Sequence, residues 1–257
     1  MKQQLQINGR KLSIESAGPE DGPVVVFLHH GLGAIRSWKE QIGVFSTAGY
    51  QVLAYDRWGH GKSAPRDHWS MPNFEQDLAD LEAILGEHGH KQASLVGHSD
   101  GGNIAMHFAV NHPEQVTCLV LVAAHIYIAP KMNSGIQSIK HQFEGNRRFR
   151  NQMHRVHGDN SEALFWGWFN GWSDPSILDW DMRPEISQIS CPTLVTQGLE
   201  DEHASPQHAH AIAGSIPEAD LWLVPGAGHM LPQTHPEEFN RRVCQFLGQT
   251  LAVQTQP

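Results

Sequence analysis

The chain has 257 residues, 40% hydrophobic and 18% charged, with a formal net charge of −9. That length can bury a sizeable core and suits one α/β domain spanning residues 1–257. The acidic balance excludes a phosphate-backbone binder, which needs clustered Lys and Arg, and no apolar stretch approaches the ~20 residues that would span a bilayer.

Residues 3–7 and 11–16 read as short strands, and Asn8-Gly9 between them is a hairpin turn signal. Residues 24–29 then form a continuous apolar run that ends in Gly31-Leu32-Gly33. Such a run suits a strand buried on both faces of a parallel sheet. Similar runs recur at 51–55, 93–96, 116–123, 193–196 and 221–224. Helical patterns separate several of them. Phe74, Leu78, Leu81 and Leu85 share one helical face, as do Ile104 and Phe108, while Phe239, Val243, Phe246 and Leu247 predict a closing amphipathic helix. Strands alternating with helices predict a mostly parallel central sheet flanked by helices.

Residues from about 125 to 187 break this rhythm, with no clear core strand. They hold Trp166, Trp168, Trp172 and Trp180, half of the eight tryptophans. So long a stretch does not stay structureless inside a compact domain, so it is expected to be a helical cap. The tail after Gly248 is polar and is expected to be loose. Residues 1–10 lack the apolar segment of a signal peptide. The three cysteines, Cys118, Cys191 and Cys244, are odd in number and widely spaced, which argues against a disulfide framework. A reduced, cytoplasmic setting fits. The 18 histidines include His88/His90 and His208/His210, at a spacing that a strand could present to a metal. Neither a Cys pair nor a His-Glu-x-x-His accompanies them, and no metal is expected. The basic cluster Arg147, Arg148 and Arg150 reads as a solvated helix face.

The strongest chemical signal is Gly97-His98-Ser99-Asp100-Gly101, followed by Gly102. It lies between the run at 93–96 and the helix of Ile104 and Phe108, the strand–turn–helix context of a nucleophile elbow. The bland alternative is a tight turn with a capping serine. A serine nucleophile needs a base. His229, in Gly226-Ala227-Gly228-His229, follows the last strand and is the candidate among many histidines. The base needs an orienting carboxylate. Asp201 follows the run at 193–196, with Glu200 and Glu202 as flanking rivals, and the order Ser, Asp, His is the one this strand rhythm demands. An oxyanion needs two donors: the backbone N–H groups of Asp100 and of Leu32, in His29-His30-Gly31-Leu32-Gly33. The Asp100 side chain reads either as an exposed helix-start acid or as a partner for a cationic group on the substrate. His125, Trp166, Trp168 and Trp172 are expected substrate-pocket residues, with at least one of the three tryptophans reaching the cavity above Ser99.

These pieces together resemble the α/β-hydrolase superfamily over nearly the whole chain. They are His30-Gly31, the run Asp56-Arg57-Trp58-Gly59-His60-Gly61-Lys62-Ser63, the elbow, Gly198 to Asp201, and Gly228-His229. The resemblance implies the α/β-hydrolase fold. It marks the Asp56 run as a structural signature without chemistry of its own. Ser99-Asp100-Gly101-Gly102 is similar to the biphenyl hydrolase-like proteins, which cleave esters. A serine at position 99 argues against the haloalkane dehalogenases and epoxide hydrolases of this fold, which use aspartate. The leading expectation is a cofactor-free hydrolase of small carboxylic esters that works through an acyl-enzyme. Lactone, thioester or carbon–carbon bond hydrolysis, and a non-catalytic ligand receptor, are the alternatives.

Overall fold

The computed structural model describes residues 1–254. Strands β1 (Lys2–Ile7) and β2 (Arg10–Ala17) form the expected hairpin. Asn8 (φ 47°) and Gly9 (φ 76°) are both left-handed, the backbone that a two-residue hairpin turn of matching twist requires. β3 (Val24–Leu28), β4 (Gln51–Asp56), β5 (Ala93–His98), β6 (Val116–Val122), β7 (Thr193–Gly198) and β8 (Asp220–Val224) follow, all mutually parallel where they pair. The sheet order is β1-β2-β4-β3-β5-β6-β7-β8, with β2 antiparallel to β4. This is the α/β-hydrolase fold.

Helices α1 (Lys39–Thr47), α2 (Glu75–Glu87) and α3 (Asp100–Asn111) connect the first strands. Between β6 and β7 lie α4 (Pro130–Gly145), α5 (Arg147–His157), α6 (Ser161–Trp172) and the short α7 (Arg183–Ile186). Helix α8 (Gln207–Ser215) precedes β8; α9 (Leu231–Thr234) and α10 (Pro236–Gln254) follow it. Alternation along the strands supplies two cores. Val25 and Phe27 of β3 pack with Ile42 and Phe45 of α1 and with Phe239 and Val243 of α10. Val26 and Leu28 point the other way, towards Leu81 of α2 and Ile104 and Phe108 of α3. The Phe27 ring lies 4.9 Å from Trp38 and 5.2 Å, edge-on, from Phe45.

Two local expectations are corrected. The tail after Gly248 is not loose as far as Gln254: α10 continues to that residue, Thr250 is buried and Leu251 packs against the core, while residues 255–257 lie outside the described residues. Gln249 lies on the exposed side of that helix. His208 and His210 lie in α8 rather than on a strand, where that spacing sends side chains to different sides.

The topology also fixes where a site can form. From β3 the chain goes to β4 on one side and then returns to place β5 on the other. Loops after β3 and β5 therefore diverge and leave a crevice at their carboxyl ends. Leu28 pairs with Gly97 and His98 with Val122, so the loop after β3 lies beside the elbow.

Candidate active site

Ser99 joins β5 to α3 with φ 54° and ψ −120°. A non-glycine residue in so sparsely populated a region costs on the order of 1–3 kcal/mol and persists only where its surroundings hold it. Here the Ser99 N–H donates to Val122 O (2.8 Å), and Ser99 O accepts from Gly102 N (2.7 Å) and Asn103 N (3.1 Å). The flanking glycines are required by space. A Cβ on Gly97 would meet Gly101 O at 2.2 Å, and one on Gly101 would meet Leu28 O at 2.1 Å.

His229 follows β8 and Asp201 follows β7. The His229 Nδ1–H donates to Asp201 Oδ2 at 2.9 Å, which leaves Nε2 as the basic nitrogen. The carboxylate is held by further donors: His203 N and Ala204 N, each 2.8 Å from Oδ1, and Gln197 Nε2, 3.1 Å from Oδ2. Burial opposes the Asp201 charge. The His229 ring and these donors outweigh it and hold the carboxyl down at about 2. For His229, burial likewise opposes the charged form, but Asp201, then Glu202 and Asp100, leave its pKa raised. The rivals for the acid are elsewhere: Glu200 is exposed, and Glu202 Oε2 accepts from the His229 backbone N–H at 3.0 Å. His98 Nε2 donates to His229 O at 2.9 Å. Both contacts brace the loop that carries the ring.

The His29-His30-Gly31-Leu32-Gly33 loop faces the elbow. It is fastened to the Asp56 run, whose carboxylate accepts from Ile35 N (2.7 Å) and Lys62 N (2.8 Å). Arg57 N donates to His29 Nε2 at 3.1 Å. The buried Arg57 guanidinium lies 3.4 Å from Asp77 and 3.9 Å from Asp100. The Asp100 amide opens α3, where first-turn N–H groups have no intrahelical acceptor.

A cavity of about 480 Å³ joins these pieces, lined by Leu32, Ser99, Asp100, His125 and His229 among others. Trp168 and Trp172 reach it from one face of α6, four residues apart. Trp166 does not line it. Two residues before Trp168 it points roughly 200° round the helix, and its half-buried ring packs on Phe143, Phe165 and Phe169 at 5.2–6.0 Å between centroids. The sequence reading also missed the opposite wall: Met132, Ile136 and Ile139 of α4, and Phe149, Met153 and Val156 of α5. Both trios follow the i, i+4, i+7 spacing that could have found them.

The Asp100 side chain is not an exposed helix-start acid, being only 2% exposed. Its Oδ1 accepts from Trp172 Nε1 at 3.2 Å, and its Oδ2 has no hydrogen-bond partner. Burial pushes its pKa up to about 6, against the pull of Arg57 and Trp172. Among the described residues, no group of three or more His, Cys, Asp or Glu could hold a metal ion, and no helix is long and apolar enough to cross a membrane.

Residues 25–242 match the alpha/beta hydrolase family. The chain is 29% identical to a 2-hydroxy-6-oxo-6-phenylhexa-2,4-dienoate hydrolase of Burkholderia cepacia, across 92% of this chain and 91% of the relative. It is 28% identical to a bifunctional esterase/perhydrolase of Acinetobacter calcoaceticus, across 90% and 93%. Among solved structures it is similar in fold to the enol-lactonase from Burkholderia xenovorans LB400, with TM-score 0.78 at 21% identity over 96% of this chain and all of the other.

Proposed function

The chain belongs to the alpha/beta hydrolase family, and on that premise we propose that it is a serine hydrolase that cleaves a small carboxylic ester through an acyl-enzyme on Ser99. The observation that carries the reading is the 2.9 Å hydrogen bond from His229 Nδ1 to Asp201 Oδ2, with Ser99 on a strained elbow at the same cavity. Ser99 Oγ attacks the ester carbon while His229 Nε2 takes its proton. The N–H groups of Leu32 and Asp100 hold the resulting oxyanion. The C–O bond breaks and the alcohol leaves with the proton from His229. A water, activated by the same ring, then releases the acid and frees Ser99. No step calls for a cofactor. Residues from about 125 to 187 serve as a cap over the site.

A second reading, carbon–carbon bond hydrolysis of a vinylogous diketone by the same triad, is favoured by the likeness to the dienoate hydrolase. One screen decides between them: p-nitrophenyl esters against a 2-hydroxy-6-oxo-dienoate, each with a Ser99→Ala control and fluorophosphonate labelling. Ser99-dependent labelling and ester turnover are expected. Labelling without turnover of any substrate would point to a ligand receptor. Ester turnover that survives Ser99→Ala overturns the proposal.

A further inference from the structure

We propose that His60 is a positioning residue for the oxyanion hole, aiming the Leu32 N–H by holding the carbonyl of Gly31. The inference rests on the reading of Leu32 N–H as an oxyanion donor. The link is covalent geometry. The Gly31 C=O and the Leu32 N–H belong to one peptide unit, which is planar and trans, so they point in opposite directions. A group that fixes one fixes the other. His60 Nε2 lies 2.9 Å from Gly31 O.

The neighbouring carbonyls are also fixed. His30 O accepts from Gly33 N (2.9 Å), His29 Nδ1 (2.9 Å) and Arg57 Nη2 (3.3 Å). Leu32 O accepts from His157 Nε2 at 3.2 Å. Three successive carbonyls thus face the protein. The Leu32 N–H donates to no backbone carbonyl among the described residues, and Leu32 lines the cavity with Ser99.

His60 is well placed for this task. It is fully buried and wedged between the rings of His29, Trp69 and His157, at 4.8, 5.9 and 6.1 Å between centroids. Burial, then Arg57 and His157, push its pKa well below the ordinary value, so the ring is neutral with a single N–H. We assign the proton to Nε2, whose 2.9 Å contact to Gly31 O is shorter than that of Nδ1 to Trp58 O (3.1 Å) and than the 3.4 Å approach of Arg57 Nη2 to the same nitrogen. Donation to the Gly31 carbonyl also polarises the peptide and strengthens its N–H as a donor. Histidine suits the position because it carries a donor across from the loop after β4 without bringing a charge into a dry interior. The Asp56 run therefore has a role beyond folding the chain.

The experiment compares His60→Phe, which keeps a planar ring and loses the donor, with His60→Gln, which restores an N–H. The readouts are kcat and KM on p-nitrophenyl acetate, the inhibition constant of a boronic acid that forms a tetrahedral adduct on Ser99, and Tm. Losing a whole oxyanion donor costs ~10²–10³ in kcat, and a misaimed one is expected to cost ~10–100-fold. His60→Phe should lower kcat by that factor with KM within about twofold, weaken the boronate in parallel, and be partly rescued by His60→Gln. A purely structural residue would lower Tm while leaving kcat of the folded protein intact, and that result overturns the inference. So does a loss confined to KM. If His60→Phe does not fold, His60→Met replaces it, and equal kcat in the Met and Gln variants overturns the inference. Wild type with no Ser99-dependent esterase activity would instead overturn the underlying reading. An active wild type with an unaffected His60→Phe overturns only the role of His60.

Discussion

In the proposed mechanism the Asp100 backbone N–H holds the oxyanion, while its side chain borders the cavity with Oδ1 on the Trp172 indole and Oδ2 3.9 Å from the Arg57 guanidinium, without a hydrogen bond. A buried acceptor without a hydrogen bond costs ~1–3 kcal/mol, so a substrate cation that reached it would gain a charge-assisted contact at closer range than that of Arg57. Its raised pKa sets the sign: the carboxyl is neutral well below pH 6 and ionised well above it. An amino-acid ester is therefore expected to be preferred over its des-amino analogue above pH 6, with the preference fading below. Asp100→Asn, which keeps the backbone N–H, should cut the kcat/KM ratio of the pair by about tenfold, equivalent to ~1.4 kcal/mol. Equal ratios in both proteins would leave Asp100 as a support for Trp172 alone. The proposed triad makes a second expectation at this scale. Ser99→Ala, His229→Ala and Asp201→Asn should each lower ester hydrolysis on the order of a thousandfold or more, and far from additively, because the three act as a unit. An active Asp201→Asn beside an inactive Glu200→Gln would move the acid to Glu200. The places of Ser99, Asp201 and His229 at strand ends were legible because each follows an apolar run in the chain. His60, His157 and Glu202 were not, because one side chain reaching between two loops leaves no periodic trace in the sequence.

Helix α6 shows how far periodicity carries at the level of elements. Tryptophan content marked the segment, and four-residue spacing puts Trp168 and Trp172 together on the cavity. Composition alone could not separate Trp166, whose phase on the helix sends it to Phe143 and Phe169 instead. Helix α4 offers a sharper test. Its Ile136 and the Trp172 of α6 line both the main cavity and a second one of about 240 Å³, bordered on its far side by Pro175, Ile177 and Leu178. Ile136 is thus part of the wall between two spaces, and its removal should join them. Ile136→Ala is expected to raise kcat/KM for C10–C12 esters relative to acetate severalfold. Truncating a buried Ile costs ~2–5 kcal/mol of stability, so the profile must be measured well below Tm. An unchanged chain-length profile in the folded variant would show that the wall does not set acyl length.

Across the whole molecule, the abundance of histidine becomes a statement about acid. His98 is pushed down to about 3, and His157 and His208 to about 4, chiefly by burial. His29, His30, His60 and His125 are also driven well below the ordinary value, again chiefly by burial. Unfolding returns each ring to about 6.5, so the unfolded chain binds more protons as pH falls below that value. The stability these neutral rings contribute is complete above about pH 6.5 and is lost as pH drops towards their folded values. Asp56, Asp80 and Asp100, whose carboxyls burial holds above the ordinary value, and His229, held up by Asp201, act with the opposite sign, but the lowered rings outnumber them. Tm is expected to fall steeply from pH 6.5 to 5, by the equivalent of several kcal/mol. A flat Tm over that range would refute this. The mostly parallel sheet behind this burial was legible, since its apolar runs alternate with helical patterns; the order of its strands was not, because spacing along the chain does not fix which runs lie side by side. Which histidines the fold would bury was not, because burial of a polar ring depends on partners far away in the chain.

The two bonds of His157 tie separate parts of the chain together. The residue ends α5, between β6 and β7, yet its ring accepts from the Gly61 N–H at 2.9 Å on Nδ1 and donates a hydrogen bond from Nε2 to the Leu32 carbonyl. Any movement of the end of α5 away from the sheet would break both bonds in one event and loosen the Asp56 run and the Leu32 loop together. The Gly61 amide proton would report it: sheltered while the His157 bond holds and open to deuterium when it breaks, its exchange rate would count such openings.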